Sequence, residues 1–281
     1  SWLERQDAAT RTLARAHRFK GEAGKALVTL APDGVSLRAV AGVGSGASAD
    51  AFGAAALPNA LPGGDYRLAS VPAGVDLPLF CAGWADGAYR FGRYKGGEGP
   101  PRLAAPATLS LAEAGREAEA ITLLRDLVNT PACDMGPDDM AAAAEKLAAA
   151  YGARLSVTRG DALENGYPMV HAVGKAAERP PCLIELSWPQ TAWADAPRLV
   201  LVGKGVAFDT GGLNLKTGSN MGLMKKDMGG AAHALALAQL VMDARLAVNL
   251  TLLIPAVENA IGSRAFRPGD IYRTRKGLTV E

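Results

Sequence analysis

The chain has 281 residues, about half of them apolar and about a fifth charged, so it is long enough for one large domain or two ordinary ones. A formal net charge of +2, with basic residues scattered rather than blocked, gives no electrostatic footprint for nucleic acid or a membrane surface. Cys81, Cys133 and Cys182 are too far apart for a CxxC or zinc spacing, which points to reduced, mostly buried thiols in a cytosolic protein.

The N-terminal stretch SWLERQDAATRTLARAHRFKG has mixed charge and no apolar h-region, so it reads as no signal peptide. It lacks an initiating Met, and the expectation is that residues are missing at that end. No apolar run approaches the roughly 20 residues that span a bilayer. Residues 1–105 alternate short apolar runs with Gly/Pro turns. Strands are predicted at Lys25–Leu30, Val35–Val43, Tyr66–Val71 and Leu77–Gly83, with a short helix at Ala49–Ala56 ended by Pro58 and Pro62. The Gly/Pro-rich run 95–107 is the predicted domain boundary, dividing a domain at 1–105 from one at 106–281.

From Ser110 the apolar period becomes helical, with Leu111, Ile121, Leu124, Leu127 and Val128 on or near one face, until Asn129-Thr130-Pro131 ends it. A second helix begins at Pro137-Asp138-Asp139, acidic in its first turn, and Gly152 reads as its C-terminal cap. Strand RLSVT, a short helix near Ala162–Glu164 and strand CLIELSW at Cys182–Trp188 follow. After the central stretch come a helix at Gly229–Met242, a strand at Val248–Ile254 and a turn at Pro268-Gly269-Asp270. The predicted class is α/β: a smaller N-terminal α/β domain, then a C-terminal domain with a mostly parallel or mixed sheet flanked by helices.

Residues 199–232 concentrate charges in an apolar, glycine-rich setting. Strand Leu199–Val202 runs into Gly203-Lys204-Gly205, then Phe208-Asp209-Thr210-Gly211-Gly212, Lys216, a Met-rich turn and Lys225-Lys226-Asp227-Met228-Gly229-Gly230. Buried charge is costly unless paired or bound to metal. Asp209 and Asp227 therefore read either as metal ligands or, more plainly, as a turn residue and a helix N-cap. Lys204, hemmed by glycines after a buried strand, could be a nitrogen ligand deprotonated by burial. Lys216 could polarise a carbonyl; either lysine, standing alone, would usually be solvated. Lys225 and Lys226 read as solvated or supporting, and His233 as a packing or surface residue. Met221, Met224 and Met228 are core, or the wall of an apolar side-chain pocket.

Several other chemistries fail on spacing. Lys204 is followed by Gly205 rather than Ser or Thr, so no P-loop forms; GxSxG and HExxH are absent; His17, His171 and His233 are isolated. Gly44-Ser45-Gly46 with Ala49, and Asp65 further on, approximates a dinucleotide fingerprint, but Pro58 cuts short the helix it needs.

VGKGVAFDTGGLNLK at 202–216 and NMGLMKKDMGGAA at 220–232 closely resemble the motifs of the leucyl aminopeptidase family, the two-metal cytosolic aminopeptidases of peptidase family M17. Supporting matches are RDLVNTPA at 125–132, CLIEL at 182–186, PAVENAIGSRAFRPGDIYRTRKGLTVE at 255–281 and, more loosely, AYRFGRYK at 88–95. The resemblance implies removal of N-terminal residues, leucine-like by preference, from peptides by a water bridging two divalent cations, Zn or Mn with Mg as a further option. It makes Lys204 and Asp227 ligands of one metal, Asp209 a carboxylate shared by both, Lys216 the catalytic lysine, and Met224 a wall of the first side-chain pocket. Lys204, Asp209, Lys216, Met224 and Asp227 would together meet the substrate. It further implies a cytoplasmic homohexamer with no membrane or nucleic-acid partner. In the family, GLTVE is followed by an NTDAEGR-type motif, which adds two carboxylate ligands and an arginine holding a bicarbonate as general base. Glu281 stands just short of it, so the 281 residues alone are expected to be inactive or nearly so. The alternatives are a non-catalytic member of the same family and, more weakly, a dinucleotide-binding enzyme built on Gly44 and Gly46.

Overall fold

A computed structural model describes residues 3–31, 33–44, 51–97, 99–104, 106–107, 109–189 and 195–281. Ser45, Gly46 and Ala49, and the side chain of Leu111, lie outside what is described. The chain divides into two compact units, Ser1–Thr122 and Leu123–Glu281.

The first unit opens with helix α1, Ala8–Ala16, which starts where Asp7 accepts the Thr10 backbone N–H at 2.7 Å. Strands β1 (Ala26–Leu30) and β2 (Leu37–Ala41) form an antiparallel pair. Helix α2 spans Ala51–Ala60, β3 Asp65–Arg67, α3 Leu77–Ala88 and β4 Arg102–Ala104, with β3 and β4 parallel. The small core gathers Leu57 and Leu61 of the α2 region against Phe80, Cys81 and Trp84 of α3. Trp84 satisfies its indole N–H on the Pro101 carbonyl at 3.3 Å.

Leu77–Gly83, expected as a strand, is the first part of helix α3. The deciding features are local: Asp76 accepts the Leu79 N–H at 3.0 Å, and Pro78 fits the first turn. A short apolar run alone does not separate a buried strand from a buried helix. The expected strand at Tyr66–Val71 shrinks to β3, and the expected helix extends through Pro58 to Ala60.

Helix α4, Leu111–Asn129, contains the boundary between the units and packs Leu127 into the second core. In the second unit, α5 (Pro137–Tyr151) begins where the Asp139 carboxylate accepts the Gly136 N–H at 2.8 Å, and ends at Gly152 with φ +65°. Then follow β5 (Arg154–Thr158), α6 (Gly160–Gly166), α7 (Pro168–Gly174), β6 (Cys182–Trp188), β7 (Arg198–Val202), β8 (Gly205–Asp209) and the short α8 (Gly218–Met221). A 3₁₀ turn at Met224–Met228 leads into α9 (Gly229–Asp243), and β9 runs Asn249–Asn259. A last pair, β10 (Tyr272–Arg273) and β11 (Thr279–Val280), is antiparallel.

The five-stranded sheet is mixed. Strand β9 is its spine, antiparallel to β6 and parallel to β7 and β8, while β5 pairs antiparallel with β6. Ile184, Leu186, Leu250, Leu252 and Ile254 alternate onto one face and are at most 1% exposed. Helices α5 and α9 cover that face through Met140, Leu147, Leu235 and Met242. Each such side chain contributes about 1.5–3 kcal/mol of burial. Among the described residues no helix is long and apolar enough to cross a membrane.

Candidate metal and active site

Strands β7 and β8 run along β9 in one register: Val202 pairs with Leu253 and Gly205 with Ala256. Lys204 sits in the gap between them. Its glycine neighbours are needed by backbone packing. A methyl on Gly203 would lie 2.7 Å from Ala231 Cα, and one on Gly205 would lie 2.7 Å from Ile254 Cγ2. Opposite, a methyl on Gly230 would lie 2.8 Å from Lys204 N. The start of α9 therefore lies directly on the Lys204 backbone, and Ala231 N–H donates to Lys204 O at 2.9 Å.

That contact sets Lys204 against the 3₁₀ turn. Its ammonium donates to both Asp227 oxygens at 2.7 Å, and the Asp227 side chain is only 15% exposed. The Lys204 side chain is 61% exposed, which corrects the expectation that flanking glycines bury it. Glycines remove bulk around a side chain as readily as they let backbones close up, and here the space above the lysine stays open. Asp227 does not cap α9 either: the N-cap is Met228, with no side-chain cap bond.

Strand β8 then bulges. Val206 pairs with Val257 but Asp209 with Asn259, three steps against two. The extra residue re-aims the end of the strand. Asp209 Oδ1 accepts Gly211 N–H and Asn259 Nδ2–H, each at 2.8 Å, and Oδ2 lies 3.2 Å from Lys216 Nζ. Burial pushes the Asp209 carboxyl up, but the Gly211, Asn259 and Lys216 donors outweigh it and hold it below the usual carboxylate range. The Gly211 bond is the local turn expected of an Asp here, so Asp209 is both a turn residue and a presented carboxylate.

Four of the residues singled out in the sequence thus form two lysine–carboxylate pairs, Lys204–Asp227 and Lys216–Asp209, on elements that pack together, β8 and the 3₁₀ turn. Met224 starts that turn and is half-buried, and fully buried Met228 anchors it in the core. Lys225 is supporting: it donates to the Asn129 carbonyl at 3.0 Å. His233 is exposed. Asn259 and Thr210 carry part of the site and were not singled out in the sequence; the strand expected at Val248–Ile254 continues as β9 to Asn259, five residues beyond the expected end. The antiparallel β1–β2 pair before Gly44 is not the parallel strand–helix–strand unit that a dinucleotide fingerprint needs.

The donor chemistry fits a hard divalent cation. Two half-buried carboxylates on adjoining elements each face a lysine, whose charge a cation would replace, and Lys204 would add a nitrogen donor once it gave up a proton and turned from Asp227. Among the described residues no three His, Cys, Asp or Glu side chains group together, so this donor set is small.

Residues 122–281 match the model of the cytosol aminopeptidase family, catalytic domain, and residues 1–105 match the M17 aminopeptidase N-terminal domain. The chain belongs to the cytosol aminopeptidase family. It is 36% identical over 224 residues to a probable cytosol aminopeptidase of Rhodococcus jostii, covering 74% of this chain and 44% of that protein. The chain therefore spans about half the length of such a relative. The crystal structure of cytosol aminopeptidase from Coxiella burnetii superposes with a TM-score of 0.90 at 40% identity, over 100% of this chain and 61% of that one. A bottromycin maturation enzyme in complex with Mn does so with a TM-score of 0.82 at 32% identity, over 95% and 60%. The α/β architecture and the leucyl aminopeptidase resemblance are borne out.

Proposed function

We propose that this chain carries part of the active site of a metal-dependent aminopeptidase acting on peptides, with a leucine-like preference at the N-terminal residue. The observation that carries the proposal is the pair of lysine–carboxylate contacts, Lys204–Asp227 and Lys216–Asp209, at the ends of adjoining elements in a chain of this family. Lys204 Nζ and the carboxylates of Asp209 and Asp227 would hold divalent cations, Zn or Mn with Mg as a further option; the Mn-bound relative supports Mn. Two such cations, when bound, supply Lewis acidity that makes a water shared between them nucleophilic at neutral pH. Two carboxylates and one amine are too few donors for two cations, so the dinuclear reading requires further oxygen ligands. The isolated 281 residues are expected to be inactive or nearly so.

The chain's own residues would do three things. Asp209 at the end of β8 and Asp227 in the 3₁₀ turn would supply fixed negative charge. Lys216, 31% exposed beside Asp209, would donate to a scissile carbonyl as negative charge develops on its oxygen. Met224 would line the pocket for the first side chain; exposed Leu213, Leu215 and Leu223 nearby in sequence give the region an apolar character. Cytoplasmic location, a bicarbonate base, homohexamer assembly and the 1–105 and 106–281 domain division belong to the same proposal. The relatives' name, cytosol aminopeptidase, supports the location.

The test is Lys216→Ala in the natural protein that carries this chain, assayed on a leucyl amide. A fall in kcat of about 10²–10³ is expected, the usual effect of losing one oxyanion donor. Turnover near that of the parent protein would overturn the role of Lys216. Metal-dependent turnover by the isolated 281 residues would contradict the ligand count.

A further inference from the structure

Asn259, the last residue of β9, pairs with Asp209 across the register shift in β8. Its Nδ2–H donates to Asp209 Oδ1 at 2.8 Å, and the Gly211 N–H donates to the same oxygen. Its backbone carbonyl accepts from Thr210 N at 3.0 Å and Thr210 Oγ1 at 2.7 Å. Thr210 Oγ1 in turn accepts the Gly212 N–H at 3.1 Å, and Thr210 O accepts the Lys216 N–H at 3.0 Å. The amide has been given room. Gly212 has φ +60°, and a methyl there would lie 2.9 Å from Asn259 Oδ1.

Both N–H donors therefore grip one oxygen of the Asp209 carboxylate. These two bonds fix the plane of the carboxylate, one oxygen held by Gly211 and Asn259 and the other turned towards Lys216. An amide suits this task because its Nδ2 only donates and adds no charge of its own.

We propose that Asn259 is the positioning residue of the site: its side-chain amide fixes the rotation of the Asp209 carboxylate and so presents Oδ2 to a divalent cation. This rests on Asp209 being a metal ligand. Partners that orient a ligand's far atoms typically change metal affinity by about 10–100-fold when removed. The side chain can be tested apart from the backbone, since Asn259→Ala keeps both carbonyl bonds to Thr210.

The experiment is calorimetric titration of Mn²⁺ into chelator-stripped natural protein carrying this chain, as the parent, Asn259→Ala, Asn259→Ser and Asp209→Asn, with the melting temperature of each metal-free form. The serine hydroxyl ends one bond short of the Nδ2 position, so Asn259→Ser carries the test if Asn259→Ala does not fold. A 10–100-fold weaker Mn²⁺ affinity in the Asn259 variants, with the metal-free melting temperature little changed, is expected. Parent-like affinity in the Asn259 variants alongside a weakened Asp209→Asn overturns the positioning role and leaves the ligand standing. A fall only in the metal-free melting temperature overturns it too, since that is the mark of a merely structural residue. Parent-like affinity in Asp209→Asn removes the ligand on which the inference rests.

Discussion

Gly229 and Gly230 are adjacent, yet alanine at the two should have opposite effects. At Gly229 the backbone is already α-helical, φ −57° and ψ −34°, and an added methyl meets nothing within 4 Å. Alanine there limits the unfolded chain and improves helix propensity, a gain of about 0.4–1 kcal/mol. At Gly230 the methyl would stand 2.8 Å from Lys204 N, 3.3 Å from Lys204 O and 3.2 Å from Lys204 Cβ. Two of those atoms are backbone and cannot swing aside, so α9 or the Lys204 segment must move. Overpacking of this kind costs about 1–3 kcal/mol. The two variants should then differ by about 1.5–4 kcal/mol, which in a unit of this size is roughly 3–15 °C in melting temperature. Thermal unfolding followed by circular dichroism reads the difference. Metal titration adds a second signal, because displacement at Gly230 moves Lys204 relative to Asp227, on the turn just before α9. Equal melting temperatures for Gly229→Ala and Gly230→Ala would refute the argument that α9 rests on the Lys204 backbone.

Other expectations follow from the same contacts. Leu252, fully buried in the sheet's covered face, should cost about 2–5 kcal/mol as Leu252→Ala, read by urea denaturation. The Thr10 backbone N–H and hydroxyl hold the Asp7 carboxyl below its usual range. A lowered folded value means that its support of α1 is full above about pH 4 and is lost as pH falls through that folded value. Asp7→Asn, which still caps the helix, should remove that pH dependence from acid unfolding curves. Burial pushes the Cys182 thiol up to about 11 and raises that of Cys81, while Cys133 is exposed. Iodoacetamide at neutral pH should therefore label Cys133 first, as peptide mapping would show.

Much of this architecture was legible in the sequence where local chemistry acts alone. Helix α5 was bracketed by Pro137 and Gly152 and β6 by an apolar run of strand length, whereas the run that announced β9 stopped at Ile254 and the strand continues through Pro255 to Asn259. Helix α3 was not, because Leu77–Gly83 is apolar on nearly every side and its cap lies one residue upstream, at Asp76. The site was legible as residues and illegible as pairs. That Lys204 faces Asp227 depends on α9 meeting the β7–β8 gap, a contact between segments distant in sequence, and that Lys216 faces Asp209 depends on the loop closed by Lys216 N–H on Thr210 O. The bulge that sets Asp209 opposite Asn259 is a register shift of one residue, which no periodicity announces. Lys204 misled for a related reason: glycine neighbours suggested confinement, whereas backbone packing absorbed them and left the lysine open to solvent.

The central claim is that Asp209, Asp227 and Lys204 hold divalent cations. Anomalous diffraction at the zinc edge, from crystals of the natural protein grown with Zn²⁺, tests it most directly. An anomalous peak is expected about 2.0–2.2 Å from an Asp209 oxygen and an Asp227 oxygen, with the Lys204–Asp227 pair opened and the Lys204 amine within bonding range of the metal. Zinc found elsewhere, with both lysine–carboxylate pairs intact at full zinc occupancy, would contradict it.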